Sequence, residues 1–325
     1  MKARGRLIAG IAGGLLAAVS ALVWIAYRAD LQAERERIAR GGKMIATRCG
    51  PIEYAAVGAG PAVLLVHGAG GGFDQTLGLA HELAQHGFRA ISMSRFGYLR
   101  TPLPADASPA AQADAHACLL DALEIERVAV LGVSAGAPSS MQFALRHPQR
   151  TNAMVLLVPL AYAPRETPYE PSPLAMLVFE KALKSDFLFW AAIKAAPSVV
   201  VKTVLATPPE VVAAADAQEQ ARVRSLMRQI LPLSERQAGL LNDSAIGQRI
   251  PRYELERITA RTLVISLEDD LYDTYRSARY TAEHIPGAQF IGFPSGGHVW
   301  IGHHHEILAQ TVNFLGAPGA VLAGR

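Results

Sequence analysis

The sequence predicts an α/β fold with a mostly parallel sheet, a helical cap inserted between two strands, and one N-terminal transmembrane helix. The first observation is that short apolar, β-branched segments alternate with longer helical patterns, which is typical of β-α-β units. The second is that residues 160–250 contain no convincing strand, and the third is that residues 7–27 carry no charged side chain. The chain is therefore expected to divide into an anchor, a core and an insertion.

The N-terminal segment Leu7–Tyr27 is uncharged over 21 residues. As a helix rising about 1.5 Å per residue it reaches about 31 Å, the thickness of a bilayer core. A cleavable signal peptide is the alternative, with small residues at Ala18–Ser20 as its cleavage site. The apolar run continues past that site to aromatic residues suited to an interface, which favours an uncleaved anchor. We expect a cytoplasmic tail and anchor at residues 1–28 and a juxtamembrane linker or helix at 29–48.

Charge is unevenly distributed along the chain. The 325 residues have a formal net charge of +3, but residues 1–48 hold nine Lys/Arg and three Asp/Glu, which leaves 22 basic and 25 acidic residues in the other 277. This remainder has no run of Lys/Arg, which argues against a nucleic-acid-binding surface. Basic residues flank the apolar segment on both sides, and the very short N-terminal tail favours an extracytoplasmic position for the rest of the chain. The chain has only two cysteines, Cys49 and Cys118, which are too few for a cysteine metal cluster and enough for one disulfide. Their number is compatible with an oxidising or a reducing compartment.

Seven apolar segments are predicted as strands of the core, and five helical patterns lie between or after them. The strands are Ile52–Val57, Ala62–Val66, Arg89–Met93, Arg127–Leu131, Ala153–Val158, Arg261–Ser266 and Ala288–Phe293. The helices are Gln75–Gln85, Pro109–Leu123, Pro138–Arg146, Tyr275–His284 and His304–Phe314.

Residues 160–250 interrupt this alternation. They follow Pro159, begin with a proline-rich stretch and continue with helical segments rich in Ala, Leu and aromatic residues. Such an insertion is predicted to cover one edge of the sheet as a helical cap. Residues 49–159 and 251–317 then form the core.

One serine stands in a glycine-flanked turn between a predicted strand and a predicted helix. The segment Val128–Gly136 has the sequence VAVLGVSAG, a buried strand that runs into the motif G-x-S-x-G, and Pro138 opens the following helix. The turn is so tight that side chains at Gly132 and Gly136 would clash, and it exposes the Ser134 hydroxyl at the C-terminal end of the strand. Ser134 is therefore the candidate nucleophile.

A serine hydroxyl needs a base, and the base needs a group that holds its tautomer. His298 follows the last predicted strand on a glycine-containing loop, from which it can reach Ser134 at the same sheet edge. The acid is expected just after the strand Arg261–Ser266, where the chain offers Glu268, Asp269, Asp270 and Asp273. An acid in this loop fits the chain order Ser, Asp, His, which is one that such sites use. Among these residues we choose Asp270 as the acid, with Asp269 as the alternative.

A glycine-rich loop, His67–Gly72, follows the predicted strand Ala62–Val66. Its backbone N–H groups can approach a ligand oxygen, and the N–H of Ala69, or alternatively that of Gly70, is expected to form an oxyanion hole with the N–H of Ala135. A phosphate-binding loop is the competing interpretation, but the sequence has neither the G-K-[ST] ending nor the G-x-G-x-x-G spacing. His67 is expected to brace the loop rather than act as a second base.

Four motifs in this order resemble the α/β-hydrolase superfamily. They are HGAGGG (67–72), GVSAG (132–136), LVISLEDD (263–270) and SGGH (295–298). The resemblance covers residues 50–317 and implies an eight-stranded, mostly parallel sheet with Ser134 as nucleophile, His298 as base and Asp270 as the orienting acid.

The chain departs from the family pattern at two places. It has SRFGY at residues 94–98, where many members have D-x-x-G-x-G, which leaves that loop's substrate contacts open. It has Leu267 where a glycine often begins the acid loop, so the choice between Asp269 and Asp270 stays open.

We expect a membrane-anchored serine hydrolase that acts on a small-molecule carboxylic ester in an apolar pocket under the cap. Hydrolysis of a carbon–carbon bond, an amide or a peptide, and perhydrolase chemistry, are alternatives with the same residues, and a non-catalytic ligand-binding protein is a second alternative. A serine nucleophile argues against epoxide hydrolase or haloalkane dehalogenase activity, because members of the family with these activities use an aspartate as the nucleophile. No cofactor or nucleic acid is expected. No metal site is expected either, since consecutive residues such as His303–His305 do not share a helix face. The oligomeric state is left open.

Overall fold

The computed structural model describes residues 2–164 and 184–316, with side chains from residue 11 onward. The chain falls into two compact units, Met1–Arg40 and Gly41–Arg325. The first consists of one long helix, α1 (Lys2–Gly41). Its part Ile11–Gly41 contains an 18-residue window with a mean hydropathy of 1.6 and is long and apolar enough to cross a membrane, although a signal sequence would share these properties. After Tyr27 the helix becomes charged, with ion pairs one turn apart such as Arg40–Glu36.

The second unit is built on an eight-stranded, mostly parallel sheet, which confirms the predicted fold class. Its strands are β1 (Lys43–Thr47), β2 (Gly50–Val57), β3 (Ala62–Val66), β4 (Arg89–Met93), β5 (Val128–Val133), β6 (Thr151–Leu157), β7 (Arg261–Leu267) and β8 (Gln289–Phe293). They lie in the order β1-β2-β4-β3-β5-β6-β7-β8. The two pairs that involve β2 are antiparallel, and the other pairs are parallel.

Ten further helices of at least six residues follow α1 in the described ranges. They are α2 (Phe73–Gln85), α3 (Pro109–Ala122), α4 (Ala137–Arg146), α5 (Asp186–Ala195), α6 (Pro197–Thr203), α7 (Pro209–Ala214), α8 (Ala217–Gln229), α9 (Gln237–Gln248), α10 (Thr274–His284) and α11 (His304–Leu315). The five helices predicted outside the cap correspond to α2, α3, α4, α10 and α11.

The central strands are apolar on both faces because helices cover both faces. Along β3, Val63 and Leu65 belong to the apolar cluster that includes residues of α2 and α11. Leu64 and Val66 point the other way and belong to the cluster with α3 and α4. The uninterrupted apolar run that predicted this strand therefore results from burial on both sides.

Strand β1 was not among the predicted strands. The predicted linker at residues 29–48 is wrong at its C-terminal end, since Lys43–Thr47 pairs with β2 across a tight turn. This short edge strand has two half-buried and three exposed residues and lacks the apolar run of a buried strand. A disulfide joins Cys49 in the turn to Cys118 in α3. The one permitted disulfide is thus formed, and it fastens the edge hairpin to the core.

The predicted cap, residues 160–250, contains α5 to α9 and no strand in its described parts, 160–164 and 184–250. Its proline-rich entry lies mostly outside the described residues. The cap's apolar cluster includes Val223 and Met227 and extends to Val299 and Ile301 of the loop after β8. Because the cap is inserted between β6 and β7, it lies over the edge at which the parallel strands end, where α/β proteins form their sites.

Candidate active site

The turn between β5 and α4 forces Ser134 into an unusual backbone conformation. Ser134 has φ of +49°, in the left-handed region that a side chain rarely adopts. A Cβ on Gly132 would lie 2.4 Å from Ser140 Oγ, and one on Gly136 would lie 2.3 Å from the Val66 carbonyl oxygen. Both contacts are shorter than atoms tolerate, so both flanking positions require glycine. The G-x-S-x-G motif thus has the steric cause that the sequence predicts.

Three of the predicted site residues form one hydrogen-bonded series. His298 Nε2 lies 2.9 Å from Ser134 Oγ, and His298 Nδ1 lies 2.7 Å from Asp270 Oδ2. Asp270 is 5% exposed and also accepts hydrogen bonds from the Tyr272 N–H and the Thr274 hydroxyl. Because a carboxylate only accepts, Nδ1 of His298 carries the proton and Nε2 is free to accept the proton of Ser134.

The two candidate acids have separate positions. Asp269 accepts hydrogen bonds from the N–H groups of Gly296 and Gly297, at 3.0 and 2.7 Å, and so braces the loop that presents His298. The structure brings Asp270, and not Asp269, to the imidazole. The neighbouring Asp273 pairs with Arg276 on α10.

The glycine-rich loop at residues 67–72, called the oxyanion loop below, lies against the serine. A Cβ on Gly68 would be 3.1 Å from Ser134 Cβ. The N–H of Gly70 donates to the Tyr98 hydroxyl at 3.3 Å, so it is already occupied. Within the described residues, the N–H groups of Ala69 and Ala135 donate no hydrogen bond to the protein. Of the two donors that the sequence allows in this loop, Ala69 is therefore the available one.

His67 is buried, and both of its ring nitrogens are occupied. Nδ1 donates to the Gly68 carbonyl at 2.7 Å, and Nε2 accepts from the Arg95 N–H at 2.9 Å. Burial, together with the nearby Arg95 guanidinium, holds the pKa of His67 well below its usual value. His67 is neutral at pH 7 and braces the loop, as the sequence predicts.

Sequence reasoning missed two buried ion pairs that surround the oxyanion loop. Arg95, in the SRFGY segment, contacts Asp243 of α9 through both guanidinium Nη atoms, each at 2.7 Å. Arg236, between cap helices, contacts Asp74 of α2, with Nη2 to Oδ2 at 2.9 Å. The departure of SRFGY from the family pattern is the one signal in the sequence that marks this region. Since the partners lie more than 140 residues apart, no local pattern could have paired them.

A narrow, partly open cleft lies beside Ala135. Its walls include Phe96 and Pro138 of the core and Asn242 and Ile246 of cap helix α9. Core and cap therefore both border the space next to one of the two available N–H donors.

Comparison with known proteins gives the family of the chain. A model described as "alpha/beta hydrolase fold" matches residues 61–301. An uncharacterised hydrolase of Bacillus subtilis (strain 168) is 28% identical over 266 residues, which are 78% of this chain and 90% of that protein. A 2-hydroxy-6-oxo-6-phenylhexa-2,4-dienoate hydrolase of Comamonas testosteroni is 30% identical over 113 residues, 33% of this chain and 40% of that protein.

A solved structure gives the same family. The α/β hydrolase fold protein from Nakamurella multipartita is 32% identical, with a TM-score of 0.70 over 86% of this chain and 100% of that one. The sheet order, the strand-to-helix turn at Ser134 and these matches agree, and the chain belongs to the α/β-hydrolase fold family.

Proposed function

We propose that this protein is a serine hydrolase that cleaves carboxylic esters through an acyl-enzyme. Ser134 is the nucleophile, His298 the general base and acid, and Asp270 the group that orients the imidazole. The observation that carries the proposal is the unbroken hydrogen-bonded series from Ser134 through both ring nitrogens of His298 to Asp270. A hydroxyl becomes an effective nucleophile only when such a base lies beside it.

In acylation, Ser134 Oγ attacks the ester carbonyl carbon while His298 Nε2 takes the hydroxyl proton. The carbonyl oxygen becomes an oxyanion, which the N–H groups of Ala69 and Ala135 stabilise. His298 then gives the proton to the alcohol oxygen as the carbon–oxygen bond breaks.

Deacylation repeats these steps with water in place of the serine. The water oxygen attacks the acyl carbon while His298 takes a proton from the water. His298 then gives this proton to Ser134 Oγ as the bond between Oγ and the acyl carbon breaks and the carboxylic acid leaves. Throughout both steps the carboxylate of Asp270 keeps Nδ1 protonated and stabilises the imidazolium.

The substrate is proposed to have a small hydrophobic acyl or alcohol group. Phe96, Pro138 and Ile246 form an apolar part of the cleft beside Ala135, next to polar side chains such as Gln112 and Asn242. Ligand pockets typically combine apolar walls with a few polar groups. Part of the predicted cap, residues 165–183, lies outside the described residues.

Carbon–carbon bond hydrolysis is the second candidate, and one finding favours it. The Comamonas testosteroni relative is named for a 2-hydroxy-6-oxo-dienoate, a compound with a ketone and no ester, whose hydrolysis must break a carbon–carbon bond. The likeness covers a third of this chain. An assay that offers both substrate types to the same sample distinguishes the two candidates.

We further propose that the hydrolase domain is held at a membrane by α1, in an oxidising compartment. The support for the anchor is the apolar N-terminal part of α1, which is uncharged up to Tyr27. The support for the compartment is the disulfide between Cys49 and Cys118, because disulfides persist mainly outside the reducing cytosol. Full-length protein should stay with the membrane fraction, and a form lacking residues 1–27 should not. In intact cells, a maleimide reagent should label the two cysteines only after reduction. Labelling without reduction would contradict the oxidising location.

The test of the activity uses full-length protein in detergent. It should hydrolyse p-nitrophenyl butyrate and react covalently with a fluorophosphonate probe, and Ser134→Ala should abolish both signals. A folded sample that neither hydrolyses esters or dienoates nor reacts with the probe would favour the non-catalytic alternative.

A further inference from the structure

The oxyanion loop lies between two ion pairs that join the core to the cap. In one pair the arginine belongs to the core (Arg95) and the aspartate to the cap (Asp243), and in the other the arginine belongs to the cap (Arg236). Both arginines also donate to loop carbonyls: Arg95 Nε to the His67 carbonyl at 2.9 Å, and Arg236 Nη1 to the Gly71 carbonyl. The loop is thus held at both ends by side chains whose partners lie across the boundary between core and cap.

The direction of the Ala69 N–H depends on the Gly68 carbonyl. These two groups belong to one peptide unit, which is planar and trans, so they point in opposite directions. The Gly68 carbonyl accepts hydrogen bonds from His67 Nδ1 at 2.7 Å and from Arg95 Nη2 at 3.2 Å. The backbone N–H of Arg95 in turn holds the other nitrogen of His67. The Gly71 N–H donates to the same carbonyl at 3.3 Å. Arg95 therefore contributes, directly and through His67, to holding the peptide unit that aims the Ala69 N–H.

The next peptide unit is held by the same cap residue. It contains the Gly70 N–H, which donates to the Tyr98 hydroxyl, and that hydroxyl donates to Asp243. Burial, and then the Asp243 carboxylate, raise the pKa of Tyr98 well above its usual value, so the hydroxyl keeps its proton. The peptide units on both sides of Ala69 are thus bound to side chains that Asp243 contacts.

Asp243 also fixes the position and charge of the arginine. Burial alone would lower the pKa of Arg95, but the carboxylate of Asp243 raises it above the ordinary value. A bidentate carboxylate holds a guanidinium in one plane, and Arg95 has two further donor contacts in that arrangement. Without Asp243, the buried Arg95 guanidinium would lose the carboxylate that neutralises its charge, and it would move toward water.

We propose that Arg95, Tyr98 and the cap residue Asp243 are positioning residues for the oxyanion donor Ala69, so that the oxyanion hole is complete only while α9 is docked on the core. This inference rests on the proposed function, because it assumes that an oxyanion forms beside Ala69. Substrate binding and transition-state binding should then respond differently to the loss of Asp243.

The experiment compares Asp243→Asn with Asp186→Asn in full-length protein. Asp186 is a matched control, since it is also a nearly buried cap carboxylate, and it accepts hydrogen bonds from the Ser234 N–H and hydroxyl rather than from groups at the oxyanion loop. The readouts are kcat and KM for p-nitrophenyl butyrate, and the affinity for a trifluoromethyl ketone, which forms a tetrahedral oxyanion adduct with a serine. Loss of one oxyanion donor costs about a hundredfold to a thousandfold in kcat, and a misdirected donor should cost less.

We expect Asp243→Asn to lower kcat about ten- to a hundredfold, leave KM within about threefold, and weaken ketone binding by the same factor as kcat/KM. Asp186→Asn should keep kcat within about twofold. If Asp243→Asn does not fold, Tyr98→Phe tests the inference instead, because it keeps the ion pair and removes only the hydroxyl that accepts from the Gly70 N–H. We expect kcat of Tyr98→Phe to fall severalfold. Unchanged kcat and ketone affinity in a folded Asp243→Asn or Tyr98→Phe protein would overturn the inference. Inactive wild-type protein would instead contradict the proposed function.

Discussion

Replacement of Asp270 by asparagine tests the assignment of the acid. An amide at this position can donate to Nδ1 of His298, which would move the imidazole proton to Nε2 and leave no acceptor for the proton of Ser134. The variant also removes the attraction between the carboxylate and the imidazolium of the transition state. Two unit charges about 4 Å apart, at an effective dielectric constant of about 20, attract by about 4 kcal/mol, which is about a thousandfold in rate. With the wrong tautomer added, we expect kcat to fall by about 10³ to 10⁴.

The neighbouring aspartate provides the control for this experiment. Asp269→Asn keeps an oxygen that can accept from the Gly296 or Gly297 N–H, but it loses charge-assisted bonds worth about 1.5 to 3 kcal/mol of stability. Its kcat should stay within about tenfold of the wild-type value, while urea unfolding shows the loss of stability. Steady-state ester hydrolysis, normalised to folded protein by circular dichroism, measures both variants. The reasoning is refuted if Asp270→Asn keeps more than a tenth of the activity, or if Asp269→Asn is the more damaging change.

Three further predictions concern the fold around the site. Gly136→Ala should prevent correct folding or abolish ester hydrolysis, because its Cβ would lie 2.3 and 2.7 Å from two backbone carbonyl oxygens; an active variant would contradict the steric account of the turn. Burial, and secondarily the Arg95 charge, lower the pKa of His116 to about 3, so below pH 6.5 the unfolded chain binds a proton that the native protein does not. The free energy of unfolding should therefore fall by about 1.6 kcal/mol through this residue as the pH is lowered from 6.5 to 5. His116→Gln should unfold in urea with a smaller pH dependence than the wild type. Reduction of the disulfide, which closes a sequence separation of 69 residues, should lower the free energy of unfolding by about 4 kcal/mol, and identical urea curves with and without dithiothreitol would contradict this.

The sequence predicted the interior of the fold better than its edge. Strands such as β3 and β5 are buried on both faces, and burial on both faces requires the continuous apolar runs that made them recognisable. The edge strand β1 is short and partly exposed, so its residues satisfy no such requirement. It is held by pairing with β2 and by the disulfide of its turn, and both depend on the folded chain.

The same distinction applies within the site. Ser134 was predictable because its turn imposes a steric rule on two glycines, and His298 because it follows the last strand at the correct edge. The choice between Asp269 and Asp270 could not be made from the sequence, since adjacent residues differ only in the direction in which the loop turns them. Likewise, the sequence allowed the N–H of either Ala69 or Gly70 as a donor. In the structure, the Gly70 N–H donates to the hydroxyl of Tyr98, 28 residues further along the chain, so the Ala69 N–H is the available one.

The ion pairs at the oxyanion loop have a position that stability alone does not explain. A buried ion pair adds little net stability compared with apolar groups of similar volume, because desolvation of the charges offsets their attraction. The cap already contacts the core through the apolar cluster that joins Met227 to Val299 and Ile301. Apolar contacts, however, are non-directional and do not fix the rotation of a peptide plane, whereas a bidentate carboxylate fixes a guanidinium, and the guanidinium fixes a carbonyl. In the proposed role, the bidentate pair at Arg95 directs the peptide unit that carries the Ala69 N–H, whereas the apolar cluster supplies the attachment of the cap elsewhere.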